Sequence, residues 1–158
     1  MEVHPDFSEF LASLNASHVE YLVVGAYALA FHGVPRNTLD IDIYLRPTVE
    51  NASRFLTALD AFGFGSLKIG RDALTVPDRI LHIGRPPVRI DVMTSISGVS
   101  WASAWRGRAR GPYGEVSVFY LGRRQLLTNK RASGRTKDLG DVEALTGRKA
   151  LPRRKRRR

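Results

Sequence analysis

The chain has 158 residues, a formal net charge of +10 at pH 7 and no cysteine. A length of roughly 100–200 residues is typical of one domain. The absence of cysteine excludes a disulfide scaffold, a zinc-thiolate site and a cysteine nucleophile. No apolar run approaches the ~20 residues that a membrane-spanning helix needs, and the first residues lack the pattern of a signal peptide. These features predict a cytoplasmic protein with no membrane partner.

The positive charge is concentrated near the carboxyl terminus. Residues 1–100 carry 8 Lys and Arg against 11 Asp and Glu, whereas residues 101–158 carry 17 against 4. We therefore expect a folded domain over 1–147 and a disordered basic tail over 148–158. Such a tail would attract a polyanion such as RNA, and a solubilising terminus is the alternative.

The hydrophobic pattern predicts helices and strands mixed along the chain. Apolar residues that recur every three or four positions, or an alanine-rich run, indicate helices over 6–14, 26–31, 48–62, 101–105, 123–132 and 136–146. Short apolar or alternating runs indicate strands over 21–24, 39–45, 79–83, 88–93 and 116–121. This order predicts an α/β or α+β domain whose small mixed or antiparallel sheet is flanked by helices.

Two aspartates, Asp40 and Asp42, lie two positions apart on one predicted strand. Residues i and i+2 of a strand share a face, so both carboxylates point to one side while Leu39, Ile41 and Ile43 point to the core. Two ionised carboxylates ~4 Å apart repel by about 4 kcal/mol at an effective dielectric near 20. A divalent cation that prefers oxygen ligands, Mg²⁺ or Mn²⁺, would cancel this repulsion. A solvated strand face is the alternative.

Two further features fit a phosphate-handling site. Gly25 ends a predicted strand and opens a helix, a geometry in which free backbone N–H groups hold a phosphate; a tight turn is the alternative. Asp91 lies between aliphatic residues on the predicted strand 88–93 and adds a third carboxylate, although an edge-strand aspartate is the simpler explanation of it alone. A helix start and three acids together are what metal-assisted phosphoryl transfer requires.

The order of these motifs resembles the polymerase-β-like nucleotidyltransferase superfamily. Its members carry a Gly-Gly or Gly-Ser pair that opens a helix, an Asp-x-Asp/Glu on the next strand, and a third Asp later. Residues 36–42, Arg-Asn-Thr-Leu-Asp-Ile-Asp, are similar to a form found in small prokaryotic members related to type IV (abortive-infection) toxins. Residues 129–141 resemble their last motifs, a Lys followed by a basic-Asp pair on helices. Ala26 departs from the usual Gly or Ser, and it lacks a hydroxyl donor.

The resemblance implies a nucleotidyltransferase fold and a Mg²⁺-dependent (or Mn²⁺-dependent) enzyme. Such an enzyme moves a nucleoside monophosphate group from a nucleoside triphosphate to a hydroxyl of RNA, such as tRNA, or of a protein. It also implies a toxin with a cognate antitoxin. The implied catalytic residues and metal ligands are Asp40, Asp42 and Asp91. The implied nucleotide-binding residues are Gly25, Ala26, Arg36, Thr38, Lys130, Lys137 and Asp138.

Simpler interpretations remain open for several of these residues. Arg36 is equally explained as an ion-pair partner of a nearby aspartate. Lys130 and Lys137 are also explained as solvated helix residues, with Lys137 and Asp141 forming an i, i+4 pair, and Asp138 as a helix-start acid. The histidines, which show no metal-ligand spacing, are expected to be structural: His4, His18, His32 and His82.

Two other function classes remain open beside the enzyme. One is a catalytically degenerate nucleotidyltransferase fold that serves as a partner in a toxin–antitoxin pair. The other is a non-catalytic nucleic-acid binder, indicated by the basic carboxyl-terminal part. The three intact carboxylates favour the enzyme over the degenerate fold. The concentration of basic charge in a tail, outside any folded DNA-binding motif, weakens the nucleic-acid binder.

Overall fold

The computed structural model describes residues 2–65, 67–85 and 88–147. The predicted basic tail lies outside these residues, as do Met1, Ser66, Pro86 and Pro87. Six strands form one sheet: β1 (Tyr21–Val24), β2 (Asp40–Leu45), β3 (Ile80–Arg85), β4 (Val88–Met93), β5 (Ala109–Tyr113) and β6 (Val116–Tyr120). They lie in the order β3-β4-β2-β1-β6-β5. β2 is parallel to β4 and β1 to β6, whereas the other three pairs are antiparallel.

Helices flank this sheet. Within the described residues they are α1 (Pro5–Ala16), α2 (Gly25–Phe31), α3 (Val49–Leu59), α4 (Trp101–Arg106), α5 (Arg123–Ser133) and α6 (Thr136–Thr146). Hydroxyl side chains cap two of them: Thr48 Oγ1 accepts from Asn51 N at α3, and Ser100 Oγ accepts from Ser103 N at α4. The predicted mixed α/β domain with flanking helices is therefore confirmed. None of the helices in the described part has the length and apolar character to span a bilayer.

The core lies against the aliphatic side of β2. Ile41 and Ile43 are 0% exposed, as are Phe10 of α1 and Phe55 of α3. The two phenyl rings meet edge to face, with their centroids 6.3 Å apart. Successive side chains of a strand point to opposite faces, so the aspartates of β2 lie on the face away from this core.

The prediction that Leu39 points into the core is wrong. Its side chain is 65% exposed, because β2 begins one residue later, at Asp40. The sequence also missed β5, which contains Gly111 and Pro112. Both residue types are rare inside strands, and β5 accommodates them because it is an edge strand that pairs with β6 alone.

The predicted apolar stripe of α6 is only partly correct. Val142 and Leu145 are buried, whereas Leu139 is half-buried. The fully buried positions on this helix include two acids, Asp138 and Asp141. Buried carboxylates require partners, and these partners belong to the candidate site described below.

We expect Ile43→Ala to lower the free energy of unfolding by about 2–5 kcal/mol, because it leaves a cavity in the centre of the sheet. Leu39→Ala is the matched control, since it removes an aliphatic side chain on the same segment from an exposed position. Its effect should stay within about 0.5 kcal/mol. Urea denaturation followed by circular dichroism measures both, and equal losses in the two variants would contradict the assigned start of β2.

Candidate active site

Residues of four neighbouring strands lie in one row across the sheet. Val24 of β1 is paired with Asp42 of β2, Asp42 with Asp91 of β4, and Asp91 with His82 of β3. Paired residues on adjacent strands share a face, so two acids and a histidine lie side by side. Because α2 begins at Gly25, directly after Val24, the first turn of this helix meets the same row.

Gly25 is the point of closest approach between α2 and the acids. Its φ is +64°, in the left-handed region that favours glycine. A Cβ at this position would also collide with the Asp42 carboxylate. The strand-to-helix turn therefore depends on glycine for two separate reasons, backbone conformation and space. Ala26, next in the helix, offers the site its backbone and no side-chain donor.

The Asp42 carboxyl is the electrostatic centre of the row. Its pKa is raised to about 6, first by burial and then by the negative charges of Asp91 and Asp40, while Lys130 and Arg89 lower it. The surrounding cations therefore do not fully neutralise this group of carboxylates. An uncompensated set of carboxylate oxygens is a donor set of the kind that hard divalent cations such as Mg²⁺ prefer.

Arg89 and His82 occupy the other carboxylates. Arg89 Nη2 donates to Asp40 Oδ2 at 3.0 Å and to Asp91 Oδ2 at 3.1 Å. His82 Nδ1 lies 2.7 Å from Asp91 Oδ1. Within the described ranges, no three acidic or histidine side chains are grouped as ligands of a metal ion. Carboxylate oxygens are of the type that a divalent cation prefers, but in this structure Arg89 and His82 occupy those of Asp40 and Asp91.

A second charged cluster joins α5 to α6. Lys130 Nζ lies 3.2 Å from Asp138 Oδ1 and 3.0 Å from Asp141 Oδ2. Arg36, from the segment before β2, also pairs with Asp141. The two acids are 1% and 0% exposed, so they hold Lys130 and Arg36 in fixed positions. The ion-pair interpretation of Arg36 is the one that this geometry supports.

Asp138 has a full set of donors. Ser133 Oγ donates to its Oδ2 at 2.7 Å and Arg135 Nε at 2.8 Å, while Lys130 approaches Oδ1. Burial raises the pKa of the Asp138 carboxyl, but these hydrogen bonds outweigh burial and lower it to about 2. Asp138 therefore orders the start of α6 and Lys130, and its oxygens are already engaged by the protein.

One cavity of about 950 Å³ connects the two clusters. All the predicted site residues line it: Gly25, Ala26, Arg36, Thr38, Asp40, Asp42, Asp91, Lys130, Lys137 and Asp138.

Thr38 Oγ1 donates to the Asp40 carbonyl at 3.0 Å, so it fixes the start of β2. Lys137 is exposed at the cavity, and the described residues include no acid paired with it. The expected Lys137–Asp141 pair is absent there, because Asp141 faces Lys130 and Arg36 instead.

Sequence reasoning missed three residues of this site. Arg89 precedes Asp91 by two positions on β4, and that spacing alone places it on the same strand face. His82, expected to be structural, contacts Asp91 because the β3–β4 register pairs the two residues. The sequence alone did not define that register. The role of Asp141 depends on the packing of α6 against α5, which brings Lys130 to it.

The chain matches no protein-family model, and no curated protein matches it in sequence.

We expect Gly25→Ala to lower the free energy of unfolding more than Gly147→Ala. Both glycines have nearly the same φ, +64° and +65°, but a Cβ on Gly147 would meet no atom of the described residues within 4 Å. The control measures the cost of the left-handed backbone alone, roughly 1 kcal/mol. Thermal or urea denaturation gives both values. If the two losses are equal, α2 does not press against Asp42.

We expect the stability advantage of the wild type over Asp138→Asn to shrink as the pH falls. The unfolded aspartate has a pKa of about 3.9, so the depressed folded value stabilises the protein above that pH and the benefit is lost toward the folded pKa of about 2. Between about pH 6 and pH 3 the loss should be on the order of 1 kcal/mol. Urea denaturation at each pH measures it, and Asp72→Asn at an exposed position is the control. A constant gap would contradict the hydrogen-bonded state of Asp138.

Proposed function

We propose that the chain is a metal-dependent nucleotidyltransferase that transfers a nucleoside monophosphate group from a nucleoside triphosphate to a hydroxyl acceptor. The observation that carries the proposal is the alignment of Asp42 with Asp91 beside Asp40 and the Gly25 turn. The raised pKa of the Asp42 carboxyl, caused by burial and by the charges of Asp91 and Asp40, supports a role that involves a cation. The motif order described above supports the same reaction class.

Three carboxylates would hold the metal: Asp40, Asp42 and Asp91. When bound, Mg²⁺ or Mn²⁺ would offset the charge of the triphosphate and polarise its reacting phosphoryl group. In the transfer, an acceptor oxygen forms a bond to the α-phosphorus, the bond between the α-phosphorus and the bridging oxygen breaks, and pyrophosphate leaves. Asp91 accepts the proton of the attacking hydroxyl, and His82 at 2.7 Å holds that carboxylate in place.

The cations of the second cluster would bind the triphosphate across the cavity. Lys130 and Arg36 are held by buried acids at the wall of the cavity that faces the row of aspartates. Fixed cations bind phosphate oxygens without first losing side-chain freedom. Lys137, exposed at the same cavity, adds a mobile positive charge. Asp138 acts through Lys130, as a residue that positions it.

The acceptor in this proposal is a hydroxyl of RNA or of a protein, and the cellular role is that of a toxin balanced by an antitoxin. The toxin role depends on the motif resemblance alone. A cytoplasmic location and recruitment of RNA by the tail 148–158 are parts of the same proposal. The transfer reaction itself depends neither on the location nor on the tail.

One observation favours a second candidate, a non-catalytic fold that serves as a binding partner. Arg89 bonds both Asp40 and Asp91, and an internal cation that stayed there would replace the metal permanently. The two candidates differ in one measurable respect. An enzyme must release Arg89 when Mg²⁺ and a nucleotide bind, whereas the partner protein would keep the pair.

We expect transfer of label from an α-³²P nucleoside triphosphate to total RNA, or to protein, when the purified chain is incubated with Mg²⁺. Asp42→Asn and Asp91→Asn should each lower the rate by about 100-fold or more, because several kcal/mol of charge stabilisation are lost. Asp91→Asn should leave triphosphate binding, measured by calorimetry, largely intact.

Asp72→Asn is the matched control, since it removes one exposed carboxylate outside the cavity. Wild-type transfer rates in Asp91→Asn would refute the assigned site. Triphosphate binding without any transfer to RNA, protein or small hydroxyl compounds would favour the non-catalytic partner.

A further inference from the structure

A second, smaller cavity lies beside the candidate active site. It has a volume of about 420 Å³ and lies between the end of α4 and the first turns of α5. Its polar lining consists of two arginines, Arg106 and Arg124, and of three side chains that both donate and accept, Ser103, Gln125 and Thr128. Among the described residues, no Asp or Glu lines it. The cavity therefore presents positive charge and donors with no internal acceptor of opposite charge.

The two arginines of this cavity differ from those of the active site. Arg36, Arg89 and Arg135 each form an ion pair with an aspartate. Arg106 and Arg124 are exposed, and within the described part of the chain neither guanidinium takes part in an ion pair or a hydrogen bond. Guanidinium groups without an acidic partner bind anions through charge-assisted, bidentate hydrogen bonds.

The segment that precedes α4 packs closely against α5 and contributes residues to this cavity and to the active-site cavity. Gly98, with a φ of +72°, brings the segment before α4 so close to α5 that a Cβ would press against Ala132. Asn129 Nδ2 donates to Ser97 O at 3.0 Å and ties the same segment to α5. Ser97 and Asn129 line the active-site cavity, whereas Gly98 and Val99 line the arginine cavity. Because consecutive residues line the two cavities, one polymer that passes over this segment could contact both.

We propose that the arginine cavity binds the phosphodiester backbone of single-stranded RNA, and that this RNA is the acceptor for the active site. The acceptor assignment rests on the proposed nucleotidyl transfer, whereas the binding site does not. Two guanidinium groups with no acid on the described lining match phosphate oxygens, which are negatively charged and only accept. A protein partner would require an apolar anchor pocket, and Val99 is the one large apolar residue on this lining. RNA offers a 2′-hydroxyl at every nucleotide, which DNA lacks.

The test measures RNA binding by the full chain without nucleotide or Mg²⁺, so it does not depend on catalysis. Fluorescence anisotropy with a labelled single-stranded RNA is recorded at several salt concentrations for the wild type and for Arg106→Ala/Arg124→Ala. Each phosphate contact on a single strand contributes about 0.7 to the slope of log K against log salt. The loss of two contacts should flatten the slope by about 1.4, so the affinity advantage of the wild type should fall about sevenfold between 50 and 200 mM salt.

Arg71→Ala/Arg110→Ala is the matched control, because it removes two exposed arginines elsewhere on the molecule and should leave the slope unchanged. Equal slopes in the wild type and Arg106→Ala/Arg124→Ala, equal losses in both double variants, or no RNA binding at all would overturn the proposal. Equal affinity for a DNA strand, or displacement of RNA by polyglutamate, would overturn the choice of RNA. Loss of transfer in Asp42→Asn with RNA binding intact would separate this result from a failure of the proposed chemistry.

Discussion

The crowding of two carboxylates, Asp40 and Asp91, around Asp42 is the constraint on which the rest of the site depends. The parallel register of β2 and β4 sets Asp42 directly beside Asp91, and the turn at Gly25 closes over the same carboxylate. Burial and two negative neighbours make ionisation of Asp42 unfavourable. Arg89 relieves part of this repulsion. What remains is the repulsion that keeps the pKa of Asp42 raised.

The second charged cluster on this cavity shows the reverse arrangement, in which buried acids hold cations in place. Lys130 and Arg36 are cations beside a space that would hold phosphates, and the buried acids Asp138 and Asp141 keep them in place. A buried ion pair stabilises a fold only when its geometry and hydrogen bonds are good, and Asp138, with Ser133, Arg135 and Lys130 as partners, meets that condition. The aspartates of the sheet and the cations held by Asp138 and Asp141 thus line one cavity.

Much of the fold and of the site could be predicted because their signals are local. The alternation of aspartate and isoleucine in β2 fixes which side chains share a face, and the apolar spacing of α1 and α3 fixes their buried sides. The exceptions have physical causes. Leu39 lies outside the strand by one residue, and β5 contains Gly111 and Pro112, which lack the side chain or the N–H typical of strands. Asp141 is buried only through partners on other elements.

The sequence by itself determined the residue types of the site, their order and the two acids that share a face of β2, because strand periodicity is a property of the local backbone. Tertiary structure decided their partners. The β2–β4 and β3–β4 registers bring Asp91 to Asp42 and His82 to Asp91, and packing of α6 on α5 turns Asp138 into a partner of Lys130. Which charges meet depends on contacts between residues far apart in the chain, and no local pattern encodes those distances.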